Sequence, residues 1–150
     1  MIKAYYRLTK PGIIYGNALT AVAGFLLASN GEIDLGSLLG MLIGISLVMA
    51  SACVFNNYFD RNIDTKMDRT KNRGLAVGTI STRDALVFAS VLGVIGFCAL
   101  LVYTNPLSFG LAMVGFVAYV AVYGYAKRRT VHGTVIGSVS GAIPPVVGYC

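Results

Sequence analysis

No charged residue occurs from Pro11 to Ala28, from Leu35 to Asn57 or from Ala85 to Ala126. A helix needs about 20 consecutive, mostly apolar residues to cross the hydrocarbon of a bilayer. The first two runs each suit one crossing, and the third suits two, divided at Thr104-Asn105-Pro106. Composition agrees, with 56% of residues hydrophobic and 12% charged, where a soluble domain carries about 25% charged. A soluble fold of this size would lack polar side chains for its surface. The expected fold is all-α, a polytopic transmembrane helix bundle with five helices, at about 11–28, 35–57, 82–103, 107–126 and 131–150.

Local signals set the ends. Pro11 suits the first turn of a helix. Ser29 to Asp34 reads as a short turn, and Ser81 or Thr82 with Asp84 as a helix start. Residues 74–81 are too polar and broken to span. Gly36, Gly40 and Gly44 recur four apart, as do Gly133, Gly137 and Gly141. Such small residues let helix backbones approach closely in lipid. Pro144-Pro145 is expected to break or kink the last helix, beside a cavity where freed carbonyls are tolerated. Cys53, Cys98 and Cys150 all lie in apolar runs and read as inert buried thiols. No cleavable leader is expected, since the run after basic Met1–Lys10 ends without a small-residue cleavage pattern.

Charge orients the bundle. Three of the twelve cations precede the first helix (Lys3, Arg7, Lys10), six lie between the second and third, and three (Lys127, Arg128, Arg129) between the fourth and fifth. The alternate connections have none, which is a positive-inside pattern with the N-terminus cytoplasmic. The net charge of +6 therefore reads as topology setting, and nucleic acid is not an expected partner.

One polar stretch, Asn56 to Arg73, holds three of the six acidic residues. Asn56, Asp60, Asp64 and Asp68 fall four apart, so a helix would present them on one slowly rotating face. Like charges at that spacing repel by a few tenths of a kcal/mol per pair. Arg61, Lys66 and Arg69 offset this, or a divalent cation does. Hard oxygen ligands without His or Cys suit Mg²⁺ shared with phosphate oxygens. The competing reading is a solvated loop. Against that, the motif begins inside an apolar helix, where polar residues are costly.

Asn56-Asn57-x-x-Asp60-x-x-x-Asp64 resembles the first aspartate-rich motif of the UbiA superfamily of intramembrane prenyltransferases, many of which have Asp where this chain has Asn57. The continuation to Arg73, the block Lys127–Tyr149 and the start Thr9–Asn17 are similar to the branch that farnesylates haem b to haem O. The resemblance implies about nine helices and a second aspartate motif that is absent here. Residues 1–150 would then be the N-terminal part of a single prenyltransferase domain, inserting into membranes without transferring a prenyl group alone.

It also implies the chemistry. Asp60 and Asp64 are the expected catalytic residues, holding Mg²⁺ with Asn56 or Asn57, and Asp68 is a further ligand outside the core motif. Farnesyl diphosphate and haem b are the implied substrates. Asn17, Asn56, Asn57, Lys71, Arg73, Lys127, Arg128 and Tyr123 are expected to bind substrate. Each cation has topology setting as its alternative role, and Asn17 a bond to a neighbouring helix. Tyr58, Tyr119, Tyr123 and Tyr149 would face a carbocation, or form an interfacial belt. His132, the only histidine, reads as a helix-end residue rather than a haem ligand. The bacterial inner membrane is the implied location, with its lipid, a terminal-oxidase assembly or the next haem-modifying enzyme as partners. An aromatic acceptor (a quinone precursor or chlorophyllide) and a non-enzymatic transporter are the alternatives.

Overall fold

The computed structural model describes residues 2–66, 68, 74–129 and 133–150, and at 127–129, 133, 134 and 136 the backbone alone. The described residues form helices and no strand: α1 (Ile2–Leu8), α2 (Pro11–Ala28), α3 (Leu35–Asp64), α4 (Gly74–Val77), α5 (Thr82–Tyr103), α6 (Pro106–Val117), a π-helical stretch (Ala118–Tyr123), α7 (Gly124–Arg129) and α8 (Gly133–Tyr149). Four helices among them are long and apolar enough to cross a membrane: Pro11–Ala28, Leu35–Asp64, Thr82–Tyr103 and Pro106–Ala126. The 17 residues of α8 extend about 26 Å at 1.5 Å per residue, a little less than the ~30 Å hydrocarbon core.

Side chains cap these helices as their types dictate. The Asp34 carboxylate accepts from the Gly36 and Ser37 N–H groups, each at 3.1 Å. With the Ser37 hydroxyl, these bonds hold its pKa below the usual carboxylate range, the hydroxyl contributing most. Ser81, rather than Thr82, caps α5 by accepting from the Asp84 N–H at 3.1 Å. Asn105 accepts from the Ser108 N–H at 2.8 Å, ahead of Pro106 at the first helical position.

Three expectations need correcting. The second long helix does not stop at Asn57 but continues to Asp64, because its aspartate face is buried rather than solvated. Of the break or kink expected at Pro144-Pro145, the break does not occur: α8 is helical through both. Here α2 lies directly against this segment, with Gly24 on the Pro145 carbonyl. The fourth membrane helix is interrupted by six π-helical residues.

Glycines set the two closest contacts. Gly40 meets the Tyr103 side chain and Gly44 meets Leu100 and the Gly96 carbonyl, so two of the three glycines of the first stripe join α3 to α5. Ser51 Oγ adds a bond to the Ala89 carbonyl at 2.7 Å. Across α2 and α8, Gly24 and Gly148 each sit on the other helix's backbone. In the second stripe Gly137 meets the Tyr123 ring, while Gly141 faces open space.

Two apolar cores result. One joins Ala21, Met41, Ile45, Val48, Leu100, Ala112 and Val147 along the length of the bundle. The other joins Leu8, Val54, Ile80, Ala85 and Ala89, at the end where α1, α4 and the aspartate end of α3 meet. Tyr5 packs edge-on to Phe88, with ring centroids 5.1 Å apart. Contacts of α1, α4 and α7 with α3 bring these three short helices to this one end.

Candidate functional site

The last two turns of α3 carry a buried polar row. Asn56 is 1% exposed, Asn57 2%, Asp60 5% and Asp64 4%. Ionised carboxylates are seldom buried unless paired or bound to a cation. The helix ends at Asp64, and Asp68 lies exposed on the turn that follows. The row is thus shorter than its spacing indicates. Among the described residues no three His, Cys, Asp or Glu side chains converge as a metal site, so Asp68 does not join Asp60 and Asp64 in one. Two carboxylates with a neutral amide oxygen remain, which fits Mg²⁺. That ion is usually held by one or two carboxylates, with substrate phosphates and water completing its shell.

Other expected residues fall into three groups. Asn57 Nδ2 donates to the Leu8 carbonyl at 2.8 Å, tying α1 to the row. Asn17 Nδ2 donates back to the Ile13 carbonyl at 2.8 Å, and its side chain lines a cavity. Tyr123 stacks on Tyr119, with centroids 5.4 Å apart and planes at 21°. Lys71, Arg73 and His132 lie outside the described residues, as do the side chains of Lys127 and Arg128, although α7, which carries these two, packs on α3. Arg61 is engaged locally: its guanidinium donates to the Tyr58 carbonyl at 2.8 Å and covers the Tyr58 ring at 4.2 Å.

A cavity of about 180 Å³ opens inside the bundle, one turn before the row. Its wall is mostly apolar, with Phe116 and Tyr119 presenting aromatic faces and Asn17, Cys53 and Ser140 the polar groups. Pro144 lines it, as the paired prolines led us to expect. Cys53 is buried and its thiol approaches the Tyr119 hydroxyl at 4.0 Å. The π-helical stretch presents Tyr119 here, in keeping with the frequent use of such bulges at functional sites.

Sequence reading missed Phe116, Ser140 and Lys10. The signal for Ser140 was its place beside Gly137, Gly141 and Pro144 at helical spacing. Lys10 offered none. It sits in the left-handed region, φ 53°, between α1 and α2.

The UbiA prenyltransferase family matches residues 17–150. The protoheme IX farnesyltransferases of Sodalis glossinidius (strain morsitans), Serratia proteamaculans (strain 568) and Pectobacterium atrosepticum are each similar at 58% identity, over 100% of this chain and 51% of theirs. The chain therefore spans about half the length of the curated relatives it matches. Two solved structures share its fold. One, of digeranylgeranylglyceryl phosphate synthase, superposes with a TM-score of 0.87 at 24% identity, over 98% of this chain and 52% of that one. The other, a UbiA homologue from Archaeoglobus fulgidus bound to GPP and Mg²⁺, gives 0.84 at 19% identity, over 97% and 53%.

Proposed function

The chain belongs to the UbiA prenyltransferase family, and we propose that it carries the aspartate site of an enzyme that transfers a farnesyl group from farnesyl diphosphate to a vinyl group of haem b. The products are haem O and diphosphate. The observation that carries this reading is the buried Asn56, Asp60 and Asp64 row at the head of an apolar, aromatic-walled cavity. The 58% identity to relatives named protoheme IX farnesyltransferase supports haem as the acceptor.

Breaking the allylic C–O bond puts negative charge on the departing diphosphate. Asp60 and Asp64, with the Asn56 amide oxygen, would hold Mg²⁺, which would supply the positive charge that neutralises it. With the metal held by the two carboxylates, the diphosphate would sit at the head of the cavity and the farnesyl chain would extend into the apolar interior. Phe116 and Tyr119 offer ring faces to the allylic cation, and the apolar wall keeps water from capturing it early. The new C–C bond forms at the vinyl carbon, water adds to the adjacent carbon, and one proton leaves. Asn17, Cys53 and Ser140 are the cavity groups able to hold that water by hydrogen bonds. The cations Lys66, Arg69, Lys71 and Arg73, or those of residues 127–129, serve the outer phosphate oxygens.

Membranes carrying the full-length protein, given haem b and farnesyl diphosphate, should yield haem O by mass. A prenylated quinone precursor or chlorophyllide in its place would overturn the acceptor, and no diphosphate release at all would favour a transporter.

The site belongs on the cytoplasmic face of the bacterial inner membrane, because all twelve cations fall before the first long helix or in the connections on its side of the bundle. Reporters fused after Arg73 or Arg129 should read as cytoplasmic, and those at Asn30 or Asn105 as external. The reverse pattern would overturn this orientation.

A further inference from the structure

We propose that Asn57 is a positioning residue: it locks α1 against the aspartate end of α3 and, through α1, sets the basic turn Thr9–Lys10 beside the diphosphate site. This rests on the prenyl-transfer reading above.

The last carbonyls of a helix have no partner within it. Leu8 ends α1 and is 2% exposed, so its carbonyl must be satisfied inside the protein. The next two N–H groups do not reach it; those of Thr9 and Lys10 bond to the Tyr6 and Arg7 carbonyls, both at 3.3 Å. Asn57 Nδ2 supplies the bond at 2.8 Å, across 49 residues of chain. A carbonyl only accepts, so this partner requires the amide nitrogen to face α1. Aspartate has the same shape but no donor, and would set a negative oxygen against the Leu8 carbonyl.

Apolar contacts alone would leave α1 free to slide. Leu8 packs with Val54, Ile80, Ala85 and Ala89, a surface without direction. The Asn57 bond fixes the end from which the chain turns back. Two residues later Lys10 takes its left-handed conformation, so the anchor at Leu8 determines where the Lys10 cation stands. Asn57 itself lies next to Asn56 and three residues before Asp60, so the anchor is part of the row it serves.

The test compares Asn57→Asp, deletion of residues 2–8 and the two combined, in full-length protein purified as the folded fraction. One readout is trypsin cleavage after Lys3 or Arg7 in membranes. The other is the Kd for farnesyl diphosphate with Mg²⁺, which needs no acceptor. Orphaning a buried carbonyl should accelerate cleavage of the Asn57→Asp protein by about tenfold or more. Each single change should weaken farnesyl diphosphate binding by about tenfold, and the combination no further, because both remove one device. Unchanged cleavage, or effects on Kd that multiply, would overturn the proposal. If Asn57→Asp does not fold, unaltered binding after the deletion alone would overturn it, and weakened binding would uphold it. Failure of the unaltered protein to bind farnesyl diphosphate would instead refute the prenyl-transfer reading, and cleavage would still decide whether Asn57 holds α1.

Discussion

Alanine at Asp60 or Asp64 is expected to lower farnesyl transfer by the full-length protein more than a thousandfold, with membrane insertion unchanged. Both carboxylates are buried, at 5% and 4% exposure, one turn apart on a single helix. A charge held in such a place acts through a low dielectric and needs no reorganisation when the leaving group departs. Loss of one oxyanion-type stabiliser typically costs about 10²–10³ in rate. Losing a carboxylate that also holds the metal should cost more. Insertion should survive, because removing a buried charge removes a desolvation penalty. Asp68→Ala should stay within about tenfold of the unaltered protein, since that residue is exposed beyond the helix end. Diphosphate release from membranes at saturating Mg²⁺ measures all three. Near-normal release by Asp60→Ala would refute the metal role.

Valine at Gly24 or Gly148 is expected to remove most of the folded protein. A Cβ at Gly24 would lie 2.1 Å from the Pro145 carbonyl oxygen, and one at Gly148 would lie 2.0 Å from that of Ala21. Both obstacles are backbone, so no rotamer change relieves them, and the helices must part. Overpacking a core costs about 1–3 kcal/mol where side chains yield. Here the contact itself is backbone on backbone, the closest approach small residues allow in lipid. Parting the helices also opens the cavity wall that α8 supplies through Gly137, Ser140 and Pro144. Gly12→Ala on α2 is the matched control, because nothing lies within 4 Å of its Cβ position. Yield and thermal aggregation in detergent measure the effect. Gly24→Val protein as stable as Gly12→Ala would show that the pairing of α2 with α8 is wrong.

The apolar runs by themselves determined the helix-bundle class and the bounds of Pro11–Ala28 and Thr82–Tyr103, because burial in lipid demands length and freedom from charge, both local properties. Helical spacing likewise put Asn56, Asp60 and Asp64 on one face. The tertiary structure decided how far that face extends. Asp64 is helical and buried, while Asp68 is exposed on the turn beyond the helix end. It also decided which glycines pack. Gly40 and Gly44 meet α5, Gly141 meets nothing, and Gly24 and Gly148, outside either stripe, make the closest contacts. A periodic pattern names a face but not the helix that lies against it. For the same reason the role of Asn57 could not be read locally: its partner, the Leu8 carbonyl, is 49 residues away and is a backbone atom that every residue type carries.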